Sequence, residues 1–164
     1  MSYSVVFSSR TGNTKLLAEE IRKTLGEEDC VYFGIASDEA LNADEIYVGF
    51  WTDKGTCDES VSEFLGKIKD KKVFIFGTAG FGGNPGYFKK ILTSVEDNLD
   101  DSVKLKGGFM CQGKMPMSVR DRYVKMMEDP DHKGNLKALI ENFDLALSHP
   151  DEKDLSNLRE EILK

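Results

Sequence analysis

Histidine and cysteine are scarce in this chain. Its 164 residues include two histidines, His132 and His149, and three cysteines, Cys30, Cys57 and Cys111, with no C-x-x-C pair. Such a scatter gives structural zinc no set of close ligands. Reduced thiols at core or strand-edge positions are expected, with His132 in a loop and His149 at a helix end, where the C-terminal dipole favours it. Long apolar runs are missing too. None approaches the ~18 residues of a membrane span, and Met1 to Phe7 has neither the basic start nor the apolar stretch of a signal peptide, so a cytoplasmic protein is expected. Positive charge is in deficit: 22 Lys and Arg face 29 Asp and Glu, for a net charge of −7. That argues against nucleic acid, which is bound largely through Lys and Arg on phosphates, and favours a basic docking patch on a protein partner. The phosphate-loop pattern GxxxxGK[ST] is absent as well.

What remains is an ordinary composition, 40% hydrophobic and 31% charged, at a length suited to one domain. Five strand-like runs can be read. Tyr3 to Phe7, Cys30 to Ile35 and Glu45 to Trp51 have strand length and β-branched or aromatic character. "KVFIFG" over 72–77 is the near-continuous apolar run of a strand buried on both faces, and Val103 to Gln112 is a weaker fifth. Helical spacing recurs between them: Leu17, Ala18, Ile21 and Leu25 ahead of a Gly26 stop, then Val61, Phe64, Leu65 and Ile68, then Phe88, Ile91, Leu92 and Val95 behind Pro85. Three further helical patterns follow, around Val119 to Met127, Leu136 to Leu147 and Leu155 to Ile162. Alternation of this kind predicts an α/β fold with parallel strands and helices on both sheet faces. Ligands of such sheets bind beyond the carboxyl ends of the strands. Three loops lie there: 8–14, 50–57 and 78–86.

The first, Ser9-Arg10-Thr11-Gly12-Asn13-Thr14, joins a strand to a helix and contains no acid. Helix N-termini offer unpaired N–H groups to anions. Ser9, Thr11 and Thr14 add hydroxyl donors, Gly12 permits a tight turn, Asn13 tolerates unusual backbone angles, and Arg10 either neutralises an anion or points to solvent. The pattern is that of a phosphate cradle or of a simply capped helix. The second loop carries Trp51, the single tryptophan, which is either core or a flat surface for a planar ligand. The third, "GTAGFGGNPGY", has five glycines between Gly77 and Gly86. Gly80-Phe81-Gly82 suggests a dinucleotide fingerprint, but Pro85 stands where its third glycine belongs and the loop follows the fourth strand. Bare backbone approaching a flat ligand, with Phe81 beside it, fits better.

With these residues in register, the chain resembles the flavodoxin family, whose phosphate signature is [ST]-x-T-G-x-T. The resemblance covers residues 3 to about 147. It implies a flavodoxin-like three-layer sandwich, a five-stranded parallel sheet in order 2-1-3-4-5, and one non-covalent FMN. Carried over, Ser9, Arg10, Thr11, Gly12, Asn13 and Thr14 would hold the phosphate. Phe50, Trp51, Thr52, Asp53, Lys54 and Gly55 would form the loop on one flavin face, with Trp51 covering it. Thr78, Ala79, Gly80, Phe81 and Gly82 would border the other face and the pyrimidine edge. The chain departs from the family where Thr52-Asp53-Lys54 intervene before Gly55, and where glycines and Phe81 replace an acid-rich, tyrosine-bearing loop. "FMCQGKMP" and "SHPDEKDL" resemble a divergent subgroup of anaerobic bacteria, some of whose members accompany reductases of bile pigments.

The resemblance implies a single FMN-binding domain over 1–164, with a helical insertion at about 113–130 and a helical tail at about 151–164. It implies an electron carrier that docks its flavin edge on a partner reductase and needs no catalytic base or nucleophile. The alternative is an FMN-dependent NAD(P)H oxidoreductase acting on a quinone or a flavin, with residues 113–130 forming a nicotinamide pocket. A partner-binding module without flavin is a third reading. Acidic surroundings would lower the flavin's potential, with Lys54 partly offsetting them. Cys57 and Cys111, near strand ends, could approach the flavin or be structural.

Overall fold

The computed structural model describes residues 1–82, 84–131 and 134–164; His132, expected in a loop, and Gly83 of the glycine-rich loop lie outside them. The chain alternates strand and helix: β1 (Tyr3–Phe7), α1 (Asn13–Leu25), β2 (Cys30–Gly34), β3 (Glu45–Trp51), α2 (Glu59–Lys67), β4 (Lys72–Ala79), α3 (Pro85–Glu96) and β5 (Lys104–Gln112). Three more helices follow, α4 (Met117–Met127), α5 (Leu136–Ala146) and α6 (Glu152–Ile162). All strand pairings are parallel, in the order β2-β1-β3-β4-β5. The expected fold class is the observed one.

Alternation along each strand sends side chains to two cores. Val6, Ile46, Val48, Phe50 and Ile75 pack with Val61, Phe64 and Leu65 of α2 and Ile91 and Val95 of α3. Val5, Phe7, Tyr47, Phe74 and Phe76 pack on the other face with Leu17, Ala18 and Ile21 of α1. Leu158 and Ile162 of α6 join this second core, so the C-terminal helix covers the sheet beside α1. Two glycines allow the central strands to fit: a Cβ on Gly49 would strike the Phe76 ring, and one on Gly77 the Phe50 ring.

Two strand ends differ from expectation. β2 stops at Gly34, leaving Ile35 74% exposed, because an edge strand has no second neighbour to hold its end. β4 instead continues past Gly77, since Thr78 and Ala79 pair with Cys111 and Gln112. α4 and α5 pack against each other, clasped by Arg120 on Asp144 at 2.9 and 3.2 Å. His149, just past α5, sits 2.7 Å from Asp154, which with Asp151 forms the capping box of α6. Among the described residues no helix is long and apolar enough to cross a membrane.

Candidate functional site

At the carboxyl ends of β1, β3 and β4 the chain encloses a cavity of about 350 Å³, within the size range of small-molecule sites. Its first wall is the turn out of β1. Gly12 takes φ 88°, a left-handed angle that glycine reaches freely, and α1 begins at the next residue. The left-handed role expected of Asn13 therefore falls to Gly12. Asn13 is the first helical residue, and its Nδ2 donates to the Lys114 carbonyl at 2.8 Å and to Thr11 Oγ1 at 2.9 Å. Among the described residues, the N–H groups of Gly12, Asn13 and Thr14 have no hydrogen-bond acceptor, so they are free to meet an anion. Ser9 Oγ accepts the Lys15 N–H at 3.3 Å. Thr14 is fully buried, with its hydroxyl donating to the Phe50 carbonyl at 3.0 Å and lying 3.2 Å from Thr78 Oγ1. What Thr14 offers the turn is its N–H.

The second wall starts at Trp51, half-buried at the end of β3. Its indole N–H donates to Ser8 Oγ at 3.2 Å, and Ser8 Oγ donates to Asp58 Oδ2 at 2.7 Å. Asp58 precedes α2; Ser60 Oγ also reaches its Oδ2, at 3.0 Å, while Oδ1 is buried with no partner among the described residues. One face of the ring carries the Arg10 guanidinium, 5.5 Å from the ring centroid. The residues between Trp51 and Gly55, read as a departure from the family pattern, have a simple geometry. Asp53 and Thr56 exchange backbone bonds of 2.7 and 3.1 Å, and Lys54 and Gly55 take φ 52° and 84°. This two-residue turn with positive φ at both positions returns Lys54 and Gly55 to the cavity. Phe50 belongs to the core, and Asp53 serves the turn.

The third wall is Thr78, Ala79, Gly80 and Phe81, with Tyr87 from α3. Thr78 and Ala79 are strand residues, and the Thr78 carbonyl accepts both the N–H and the hydroxyl of Thr52, at 2.9 and 2.8 Å. The space beside the glycines is partly filled by protein. A Cβ on Gly80 would come within 2.6 Å of Met115 Sδ, and one on Gly82 within 2.9 Å of Gln112. Gly82 does not line the cavity, whereas Phe81, 41% exposed, does.

The fourth wall was not among the residues expected to hold FMN; residues 113–130 were read only as the nicotinamide pocket of the alternative. Gly113, Lys114, Met115 and Pro116 form a strap after β5, and Val119 of α4 continues it. The strap is fastened to the first turn by Asn13 and Thr11 on the Lys114 carbonyl, and Gly113 is bare because a Cβ there would crowd Asn13. The signal was present in the run of glycine, methionine and proline after the fifth strand, but these contacts span about a hundred residues and leave no local pattern.

The lining carries Arg10, Lys54 and Lys114 and, among the described residues, no carboxylate. The acidic surroundings expected from the net charge are therefore not found at the cavity itself. Neither thiol reaches it: Cys57 and Cys111 are buried and their thiols are pushed up, mainly by that burial. FMN fits these features: free N–H groups and cations suit its phosphate, and a half-buried indole and Phe81 flank a space for a flat ring.

Comparison with known proteins gives the same answer. The family model for a flavodoxin domain matches residues 4–163. A flavodoxin-like domain-containing protein BilS from Clostridium symbiosum is 40% identical over 95% of this chain and 91% of its own. Oxidised flavodoxin 2 from Bacillus cereus superposes with a TM-score of 0.62, at 18% identity, over 98% of this chain and 94% of that one. A flavoprotein in complex with FMN from Lactobacillus acidophilus has a TM-score of 0.52 at 16% identity, over 66% of this chain and 92% of its own. The chain belongs to the flavodoxin family, and its cofactor is FMN.

Proposed function

We infer that this chain is an electron carrier, a single FMN-binding domain over residues 1–164 that passes electrons to a partner reductase in the cytoplasm. The strap and α4, at about 113–130, are its insertion, and residues about 151–164 its helical tail. The subgroup resemblance makes a bile-pigment reductase the partner class. One observation carries the reading: the cavity joins an anion-ready turn to a flat aromatic surface, yet the described lining holds no His, Cys, Asp or Glu. Electron transfer through a bound flavin asks for none of these side chains.

When bound, FMN supplies the electron transfer, and the protein supplies binding, orientation and electrostatics. The N–H groups of Gly12, Asn13 and Thr14, with the Thr11 hydroxyl, Ser9 and Arg10, would hold the phosphate; Lys114 would add charge from the strap. Trp51, oriented through Ser8, would cover one ring face. Thr52, Lys54 and Gly55 would lie along the ring on that side, with Phe50 and Asp53 supporting them from behind. Thr78 to Phe81 would border the other face, with Gly82 behind. Cations near the ring would raise the flavin's potential by favouring negative charge on it. The net charge alone asks for a basic patch on the partner; the cations at the cavity mouth ask for the reverse.

A second reading, an NAD(P)H oxidoreductase acting on a quinone or a flavin, draws on the strap as a wall over the ring. FMN titration tests the shared premise. One FMN per chain should bind with quenching of Trp51, and FAD should not bind, because the turn meets a terminal phosphate. Binding of FMN with unchanged Trp51 emission would remove the ring assignment.

A further inference from the structure

We propose that the basic face made by the strap and α4 is the docking surface for the redox partner, and that this partner presents carboxylates around an apolar patch. The proposal rests on the carrier reading. α4 buries none of its residues. Met117, Val124 and Met127 are exposed at 55, 40 and 55%. Among them stand Arg122 and Lys125, exposed and outside every ion pair among the described residues, whereas Arg120 is clasped to Asp144. From Lys114 to Lys125 there is one acid, Asp121; carboxylates resume at Glu128 and Asp129, past the helix. This face is continuous with the site, because Lys114, Met115, Pro116 and Val119 also line the cavity. With Arg10 and Lys54 across the mouth, a partner seated on α4 meets positive charge around an apolar centre.

Several of the acids behind the net charge of −7 lie far from this face. Glu27, Glu28 and Asp29 lead into β2, and Asp97, Asp100 and Asp101 lead into β5, so both groups sit at the amino ends of the strands, away from the mouth. A partner close to the mouth responds to the local field more than to the total charge, which salt screens beyond about 8–10 Å. Charge complementarity of this kind acts mainly on encounter rate.

The test uses two haem proteins as electron acceptors, acidic cytochrome b5 and basic cytochrome c, with photoreduced holo-protein and increasing salt. Transfer to cytochrome b5 should slow as salt rises, and transfer to cytochrome c should not. Arg122→Glu with Lys125→Glu, neither of which lines the cavity, should leave FMN content unchanged. It should slow cytochrome b5 transfer about ten-fold at low salt and speed cytochrome c. Met117→Ser with Val124→Ser should slow cytochrome b5 transfer without altering its salt dependence. Transfer to cytochrome c that falls with salt in the unaltered protein would mean that net charge governs docking, and would overturn the proposal. So would a dimer in sedimentation, or flotation with phosphatidylglycerol vesicles, abolished by the charge reversal, since the face would then belong to a second copy or to a membrane. If the purified chain held no FMN, the carrier reading would fail separately. Backbone NMR shifts on adding cytochrome b5 would still decide the surface: shifts at 114–127 support it, and shifts confined elsewhere refute it.

Discussion

Asp58 should matter to the cofactor far more than to the fold. Asp58→Ala removes the acceptor of the 2.7 Å bond from Ser8 Oγ, and a hydrogen bond to a charged group contributes about 1.5–3 kcal/mol. The same change removes the buried, unpartnered Oδ1, whose desolvation costs on the order of 1–3 kcal/mol. The two nearly cancel, so unfolding free energy should move by less than ~1 kcal/mol. Ser8, freed of its acceptor, no longer points a lone pair at the indole N–H, and Trp51 loses its fixed orientation. An aromatic stacking geometry adds about 0.5–1.5 kcal/mol beyond burial, so FMN should bind about two- to twelve-fold more weakly. Trp51 is the single tryptophan, so fluorescence anisotropy reports its mobility directly, alongside FMN titration and urea unfolding. Ser8→Ala should reproduce the effect and Ser8→Thr should restore it. Wild-type affinity and unchanged anisotropy in Asp58→Ala would refute the reasoning.

Thr11→Ala should weaken FMN far more than riboflavin, and equal losses would remove the phosphate assignment. Thr14→Ala, which leaves the Phe50 carbonyl without its buried donor, should lower unfolding free energy by about 1–3 kcal/mol, read from urea unfolding of the apo-protein. Leu158→Ala should cost about 2–5 kcal/mol if α6 is part of the core, as its full burial beside α1 indicates; an unchanged thermal midpoint would detach the tail. The hydrogen bonds from Arg120 hold the Asp144 carboxyl below its usual range. A carboxyl with a depressed folded value contributes above its unfolded pKa and loses that contribution as pH falls through the folded one. The α4–α5 clasp should therefore stay closed down to about pH 4 and loosen only below it, visible as faster amide exchange in α4; loosening by pH 6 would contradict the pairing.

The parts legible in sequence were those in which burial on both faces leaves a local signature. Tyr3–Phe7 and Glu45–Trp51 were bounded to the residue, because central strands are unbroken apolar runs ending in polar loops. Ile35 was misplaced because its run continues apolar after the edge strand has lost its pairing. Thr78 and Ala79 were read as loop because the glycines beyond them resemble a turn, while what holds them in β4 is pairing with β5. In the site, the first turn and Trp51 were found by position and composition. The strap was read only as part of the alternative's nicotinamide pocket over 113–130, since Lys114 reaches Thr11 and Asn13 only through the fold. The Ser8–Trp51–Asp58 chain joins three elements and escaped for the same reason. Net charge says little about the cavity: a sum over the chain has no direction, and the described lining carries Arg10, Lys54 and Lys114 with no carboxylate.

The central claim is that this chain carries electrons without performing a reaction alone, and rapid anaerobic mixing of the FMN-loaded protein with NADH or NADPH tests it most directly. Followed by flavin absorbance with a quinone present, the flavin should stay oxidised until a reductase is added. Sustained oxidation of NAD(P)H at many cycles per second by the protein alone would contradict the account.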